Sequence, residues 1–183
     1  MERKIVDAVL AEIQAHGFKF TMDDITARLH MSKSSLYKLV GSKDKLVHDF
    51  ITELKLDFET RRRHLVNNED DIYSKVEAFV KLYVEMFRPF QNDVYYDIKV
   101  LYYDEWQRWH EFQKENVEFL MQLLQQGIDK GCFRPVNINV VRQVLLVSAM
   151  SLAEYDFLQE SNLTYADAVK ALSDIILNGL RQA

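Results

Sequence analysis

The stretch Thr21–Leu46, TMDDITARLHMSKSSLYKLVGSKDKL, decides the fold because it predicts two short helices and the start of a third. Thr21 and Asp24 have the spacing of a capping box at the start of one helix, with Asp in place of the usual Glu. Ser32 and Ser42 are placed to cap the next two helices, and Gly41 ends the helix between them. Two helices of about eight residues joined by a tight turn predict a helix-turn-helix motif, whose second helix lies in the major groove of DNA.

The second helix of this predicted motif has an apolar face and a polar face. Leu36, Leu39 and Val40 are expected to dock it on the rest of the domain. The polar face offers ammonium and hydroxyl groups, which suit phosphates and base edges. On spacing alone, a helix pair with a purely structural role fits equally well. The polar-face residues are Lys33, Ser34, Ser35, Tyr37 and Lys38.

The composition favours an all-α protein. Of 183 residues, 48% are hydrophobic, but five are glycine and two are proline. An all-β protein needs turn residues about every 8–12 positions. So few glycines and prolines argue against that class. Apolar periodicity predicts about nine helices in all. Four precede residue 70, and the later ones cover 70–88, 91–103, 104–130, 138–158 and 164–181.

Charge is distributed unevenly along the chain. The net charge is −5, which is unusual for a protein that binds nucleic acid. Residues 1–48 hold eight Lys or Arg and six Asp or Glu, a net charge of +2, whereas residues 49–183 have a net charge of −7. The basic character is therefore local to the predicted helix-turn-helix.

Cysteine content and hydropathy predict a cytoplasmic protein. Cys132 is the single cysteine, so no internal disulfide or cysteine-based metal site is expected. The N-terminus has no apolar run followed by a small-residue cleavage site, and no signal peptide is predicted. The longest uncharged stretch, residues 143–153, is too short to span a membrane.

Residues 5–51 resemble the DNA-binding domain of the TetR/AcrR family of transcriptional regulators. The segment Gly131–Pro135 is also similar to a turn that precedes the last helix pair in that family. Within residues 5–51, the matching runs are Ile5–Leu10, Gly17-Phe18, Thr21–Ile25, Ser32–Tyr37 and Ser42–Leu46.

Three positions depart from the family pattern. His30 stands in the turn where the family usually has glycine, at a site that favours the left-handed conformation. Lys38-Leu39-Val40 replaces the usual aromatic-His/Tyr-Phe, so a lysine stands where an aromatic typically touches phosphate. Gly41 follows, where the family prefers a polar or basic residue.

The resemblance implies a function and a domain division. It implies a homodimeric repressor whose two helix-turn-helix units read the half-sites of a double-stranded DNA operator, and whose release is caused by a small molecule. Residues 1–48 would bind DNA, and residues 49–183 would bind the ligand and dimerise. Lys33, Ser34 and Ser35 would contact base edges, Tyr37, Lys38 and Lys43 would contact phosphates, and Thr21 would present a helix N-terminus to the backbone.

Aromatic residues concentrate in one segment of the C-terminal part. Residues 79–119 contain twelve of the 22 aromatic residues. Tyr and Trp pack well where their polar atoms find partners, which favours a pocket, although an aromatic core with hydrated edges is the alternative. Asp97, Asp104 and Glu105 suggest a cationic ligand or, equally, exposed helix charges. The expected pocket residues are Tyr83, Phe87, Tyr102, Tyr103 and Trp106.

The last two predicted helices each carry an apolar face. Paired with the same helices of a second copy, they would form an isologous four-helix interface. Alternatively, both faces are buried within one subunit. The expected interface residues are Val144, Val147, Ser151, Tyr155, Leu172 and Ile176.

An enzyme is the class that the sequence disfavours. Metalloprotease, serine-hydrolase and phosphate-loop motifs are absent from the sequence. No catalytic residue, cofactor or metal site is predicted. The remaining alternative is a helical ligand-binding or interaction protein that does not bind DNA specifically.

Overall fold

The computed structural model describes residues 1–67 and 71–180, and in these residues it contains ten α-helices and no strand. Helices α1 to α4 form the N-terminal part, with a 3-10 turn after α1. The helices are α1 Arg3–His16, the 3-10 turn Gly17–Lys19, α2 Met22–Leu29, α3 Lys33–Val40, α4 Lys43–Asn67, α5 Ile72–Phe87, α6 Asp93–Leu101, α7 Tyr103–Asp129, α8 Ile138–Ser151, α9 Tyr155–Glu160 and α10 Tyr165–Leu180.

Helices α1 to α3 and the start of α4 enclose one small core. Helix α1 packs against α2 and α4, and α3 packs against α2 and α4. Ile13, Ile25, Leu36 and Leu46, one from each of the four helices, are fully buried. Each therefore contributes the burial of a large aliphatic side chain, worth roughly 1.5–3 kcal/mol.

The caps predicted from the sequence are confirmed. The Thr21 hydroxyl accepts a hydrogen bond from the Asp24 amide, and the Asp24 carboxylate accepts one from the Thr21 amide at 2.7 Å. Ser32 and Ser42 cap α3 and α4 by accepting from the amides three residues later, at 3.1 Å in both cases. These hydrogen bonds satisfy amides that a helix start leaves without partners.

The turn between α2 and α3 is closed by a left-handed residue. His30 has φ 52° and ψ 43°, as its position in place of glycine predicts. Its amide donates to the carbonyls of Ala27 and Thr26 and so ends α2. The left-handed conformation is strained for a residue with a Cβ. The His30 side chain is exposed, so it causes no further conflict with neighbouring side chains.

Helix α4 continues from the small core into a larger helical layer. Phe50 is fully buried near the start of α4, and Phe58, further along, packs edge-on against Phe79, Tyr83 and Phe112. Around this cluster, α4 packs on α5 and α7, α10 packs on α5, and α8 packs on α7. The predicted division at residue 48 therefore lies within a continuous helix.

The region 138–158 differs from the prediction of one helix. Helix α8 ends at Ser151, and α9 begins at Tyr155 after the extended residue Glu154. The break turns the chain so that α9 packs on α6 and the Leu158 side chain becomes fully buried. The predicted helices 70–88 and 164–181 are present within the described residues, and Asp70 and Arg181 lie outside them.

No helix in the described ranges is long and apolar enough to cross a bilayer. Among the same residues, no group of three or more His, Cys, Asp or Glu side chains is arranged to hold a metal ion.

Two helical glycines differ in what surrounds them, which yields a matched test. A Cβ on Gly127 would lie 2.1 Å from Cδ2 of the buried Phe133 ring, whereas a Cβ on Gly179 would meet nothing within 4 Å. We expect Gly127→Ala to lower the free energy of unfolding by about 1–3 kcal/mol through overpacking, despite better helix propensity. Gly179→Ala should leave it unchanged or raise it by up to about 1 kcal/mol. Equilibrium urea unfolding at a fixed protein concentration measures both, and equal effects would contradict the packing account.

Candidate functional site

Helix α3 presents a polar face to solvent. Leu36 and Val40 are buried, while the five predicted polar-face residues, from Lys33 to Lys38, are exposed. Leu39 does not dock as expected, because its side chain is 51% exposed. Its i, i+3 spacing from Leu36 predicts a shared face, but the buried face of α3 is formed by Leu36 and Val40 alone.

Three serine hydroxyls cluster at the N-terminus of α3. Ser32 Oγ lies 3.0 Å from Ser34 Oγ and 2.9 Å from Ser35 Oγ. Each hydroxyl both donates and accepts, so Ser34 and Ser35 can still pair with either a base edge or a phosphate oxygen. Their small size also allows close approach of the helix end to DNA, where the helix dipole favours negative charge.

Lys33 is exposed but has an ion-pair partner. Its Nζ lies 2.7 Å from Asp23 Oδ1, which joins α3 to α2 and raises the pKa of Lys33 through a hydrogen bond and charge attraction. Both side chains are largely exposed, so exchanging Asp23 for a DNA group costs little.

Lys43, which the resemblance assigns to a phosphate, has its ammonium turned inward in the structure. Its Nζ donates to the Phe18 carbonyl at 2.9 Å and lies 4.7 Å from the centre of the Phe20 ring. Burial lowers the pKa of Lys43. The Lys43 ammonium therefore links the 3-10 turn to α4. The local sequence pattern does not predict this contact, because Phe18 and Lys43 are distant in the chain.

The five aromatic residues predicted to form a pocket do not line one cavity. Phe87 is a core residue in edge-on contact with Tyr165 and Trp109. Tyr102 stacks near Phe18, 5.7 Å between ring centres, and Tyr103 is 59% exposed. Phe87, Tyr102 and Tyr103 therefore pack as the alternative predicted, an aromatic core with hydrated edges.

Tyr83 lines a small apolar cavity between α5, α7, α8 and α10. The cavity has a volume of about 60 Å³ and is walled by Phe79, Leu120, Leu145 and Val169. Burial raises the pKa of Tyr83 to about 12, so its hydroxyl stays neutral at physiological pH. A space of this volume accommodates about two waters, given roughly 30 Å³ per water, and no drug-sized ligand.

Trp106 lines a much larger opening, which we name the Asp97 cleft. This cleft has a volume of about 710 Å³ and lies between the 3-10 turn, α6, α7 and the α8–α9 connection. Asp97 is 1% exposed and accepts a hydrogen bond from Lys19 at 3.0 Å, which joins the two parts of the chain. The residues that characterise the cleft are Lys19, Asp93, Tyr96, Asp97, Trp106 and His110.

Sequence reasoning found only part of this cleft. The aromatic excess and the nearby acidic residues point to Trp106 and Asp97. No local pattern points to Lys19, because its partner Asp97 lies 78 positions along the chain. The other two acidic candidates lie elsewhere. Asp104 is exposed, and Glu105 is buried in a second link between the two parts.

That second link joins α4 to α7 near the start of each helix. Glu105 Oε1 accepts from both His48 Nδ1, at 2.8 Å, and Arg108. Lys55 Nζ donates to the Arg108 carbonyl at 2.7 Å. These charged contacts fix the register of α7 along α4.

Helix α8 exposes an apolar face. None of its residues is buried, and Val147 is 54% exposed. Of the predicted interface residues, Val144, Val147, Ser151 and Tyr155 are exposed, while Leu172 and Ile176 are half-buried.

Comparison with known proteins supports the prediction that α2 and α3 form a helix-turn-helix. Residues 5–50 match the model of the bacterial regulatory proteins of the tetR family. Over 181 residues, 98% of this chain and 95% of the relative, the sequence is 23% identical to YvaF, an uncharacterized HTH-type transcriptional regulator of Bacillus subtilis strain 168. Residues 5–50 therefore have the sequence of a tetR-family regulatory domain.

Solved structures of TetR-type regulators have the same fold. A TetR-family regulator from Agrobacterium tumefaciens superposes with a TM-score of 0.75 at 16% identity, covering 98% of this chain and 96% of that one. FadR from Bacillus subtilis, solved in complex with stearoyl-CoA, gives 0.70 at 12% identity, covering 99% of this chain and 100% of that one. These likenesses show that the chain shares its fold with both regulators.

The different environments of two lysines in this TetR-type domain predict different salt effects. Lys38 is exposed on the polar face of α3, so Lys38→Ala should lower the slope of log affinity against log salt by about 0.9, the value of one phosphate contact. Lys43→Ala should leave that slope unchanged and lower the free energy of unfolding by about 1 kcal/mol, because the Phe18 carbonyl loses its donor. Fluorescence anisotropy at several salt concentrations, with urea unfolding in parallel, measures both effects. The opposite assignment of the two effects would show that Lys43 turns outward on DNA.

Proposed function

We propose that the protein is a homodimeric repressor that binds a near-palindromic operator and is released from it by a small molecule. The observation that carries the proposal is the capped helix-turn-helix of Thr21–Val40, with α3 exposing hydroxyl and ammonium groups within a tetR-family match. Repression rather than activation follows the usual behaviour of that family.

The polar face of α3 supplies the proposed DNA contacts. Ser34 and Ser35 at its N-terminus, with Lys33, reach base edges, and Tyr37 and Lys38 hold phosphates further along. Thr21 brings the N-terminus of α2 to the backbone. The local net charge of +2 in residues 1–48 supports this assignment, since phosphate contacts supply much of the affinity.

A second copy of the chain covers the exposed face of α8 in this proposal. Val140, Val144 and Val147 repeat at helical spacing and leave α8 with a continuous apolar face. Ser151 and Tyr155 continue it, and the half-buried Leu172 and Ile176 of α10 complete the proposed interface. A two-fold arrangement matches the two-fold symmetry of an operator with two half-sites.

The Asp97 cleft is the proposed effector site. Ligand pockets for drug-sized molecules have volumes of about 300–1,000 Å³, and the cleft falls in this range at about 710 Å³. Its wall includes Lys19, so a ligand there acts directly on the contact between the DNA-binding part and α6. The apolar cavity beside Tyr83, at about 60 Å³, would have to open before it held an acyl chain such as that of the stearoyl-CoA bound by the FadR relative.

Selection of DNA from a random pool tests the proposal, run with the full-length protein and repeated after addition of a fractionated metabolite extract. We expect enrichment of one inverted-repeat sequence and loss of its binding in some fractions. No enriched sequence would overturn the proposal in favour of a helical ligand-binding protein without specific DNA binding. Enrichment that no fraction reverses would remove the effector part alone.

Two equally exposed valines provide a test of dimerisation. Val147→Glu should produce monomers in sedimentation velocity at micromolar concentration, because it places an unpaired carboxylate in the proposed interface. Operator affinity should fall at least tenfold as the two half-sites lose their linkage. Val147 is 54% and Val100 57% exposed, so Val100→Glu on α6 is the matched control that should leave a dimer. Monomeric wild-type protein would overturn the assignment.

Trp106 separates ligand recognition from stability. Because Trp106 forms a wall of the cleft, Trp106→Ala should raise the amount of active metabolite fraction needed for half-release from DNA by about tenfold or more. Operator binding without the fraction should stay close to wild type. The exposed Leu56 of α4 does not line the cleft, and Leu56→Ala should leave both values unchanged. A Trp106→Ala protein with a lowered melting temperature and parallel losses of both activities would indicate a core role instead.

A further inference from the structure

We propose that the effector of the Asp97 cleft is an organic cation with an aromatic or bulky apolar body, whose positive group replaces the Lys19 ammonium on Asp97. This inference rests on the proposed function, because it names the chemical class of that effector. It also assigns Lys19 as the group with which the effector competes.

The carboxylates of the cleft are incompletely paired. Asp97 is 1% exposed, and its Oδ1 accepts from Lys19 Nζ at 3.0 Å. Its second oxygen, Oδ2, is buried and has no hydrogen-bond partner in the described residues, and the same holds for Oδ1 of Asp93. Buried carboxylate oxygens without donors are costly, so a donor or cation brought by a ligand is favoured at this position.

The balance of charge in the cleft favours a positive ligand. Four carboxylates line it, from Asp93, Asp97, Glu154 and Asp156, against the two ammonium groups of Lys19 and Lys99. Apart from tyrosines, the remaining ionisable side chain in the lining is His110. Burial lowers the pKa of His110, so it adds no charge at neutral pH. The cleft therefore carries two net negative charges and repels acidic ligands.

Aromatic side chains surround the carboxylates. Trp106, Tyr96 and Tyr155 line the cleft, and the Trp106 ring lies edge-on to His110 with 4.3 Å between ring centres. Aromatic faces attract cations, most strongly when water is excluded, and tryptophan is the best of them. Carboxylates beside aromatic walls thus select a cation that also has an apolar body.

Lys19 is well suited to be displaced. Its side chain is 67% exposed, so the ammonium returns to water easily, whereas the Asp97 carboxylate is held in the protein. The Lys19 ammonium is strongly hydrated, and a cation of low charge density loses less hydration when it takes its place.

Displacement of Lys19 would alter the attachment of the DNA-binding part. The 3-10 turn packs on α6, and Gly17 in that turn has φ 58°. A Cβ at Gly17 would lie 2.5 Å from Asp97 Oδ2, so only glycine allows this approach. A cation seated on Asp97 removes the Lys19 contact and crowds Gly17, which biases the chain toward a different placement of α1 to α3.

A pair of ions with the same shape and opposite charge tests the inference. Tetraphenylphosphonium and tetraphenylborate are titrated into the full-length protein by isothermal calorimetry at constant ionic strength. We expect wild type to bind the phosphonium at least tenfold more tightly than the borate. Asp97→Asn should weaken phosphonium binding at least tenfold and reduce the preference, while Glu115→Gln, which removes an exposed carboxylate outside the cleft, should change neither.

A second variant keeps the test decisive if Asp97→Asn does not fold. Lys19→Met removes the competing ammonium from an exposed position and should tighten phosphonium binding several-fold. Lys81→Met, an exposed lysine of α5 outside the cleft, controls for the change in net charge and should have no such effect. Equal binding of the two ions, or equal effects of the two lysine variants, would overturn the inference.

The selected operator separates this inference from the proposed function. In anisotropy assays, tetraphenylphosphonium should release wild type but not Asp97→Asn. If metabolite fractions release the protein and the phosphonium neither binds nor releases it, the inference is wrong and the proposed function stands. If no operator exists but the phosphonium binds with the expected dependence on Asp97, the cation site stands and the regulatory function is wrong.

Discussion

Helix α4 is the constraint on which the rest of the structure depends, because one continuous helix supplies buried side chains to both the N-terminal part and the larger helical layer. Leu46 and Phe50 close the core of α1 to α3, and Phe58 lies at the centre of the aromatic cluster of the larger part. Neither part can shift along α4 without unpacking the core that both parts share. The DNA-binding surface and the Asp97 cleft are thus placed relative to each other by packing, with no intervening linker.

Two polar links add to this arrangement and differ in character. The Glu105 link with His48 and Arg108 joins α4 to α7 through several mutually supporting contacts. The Lys19 link with Asp97 is a single contact from an exposed side chain to a buried one. The first is suited to hold a register, and the second can be broken without unpacking buried apolar side chains. Under the proposed function, this difference would let a ligand in the cleft act on the orientation of α1 to α3 while the fold stays intact.

The local features of the fold could be predicted from the sequence, and the long-range contacts could not. Capping at Thr21 and Ser32 and the left-handed turn at His30 depend on residues within a few positions, so their patterns are readable directly. The inward turn of Lys43 depends on the Phe18 carbonyl, 25 positions away. The i, i+4 spacing of Tyr102 and Trp106 placed both on one helix face, but Tyr102 precedes the helix and packs on Phe18 instead. Residue spacing describes which side chains share a face and contains no information on what lies opposite.

The separation of α8 from α3 along the chain has a genetic consequence under the proposed dimer. A chain with a damaged recognition helix keeps the apolar face of α8 intact, because the two helices share no core residue. Such a chain pairs with normal copies, and the mixed dimers can bind only one half-site. Loss-of-function alleles in the helix-turn-helix should therefore be dominant in a strain that carries both genes. Alleles that place charge on α8 yield chains that cannot pair, and these should be recessive.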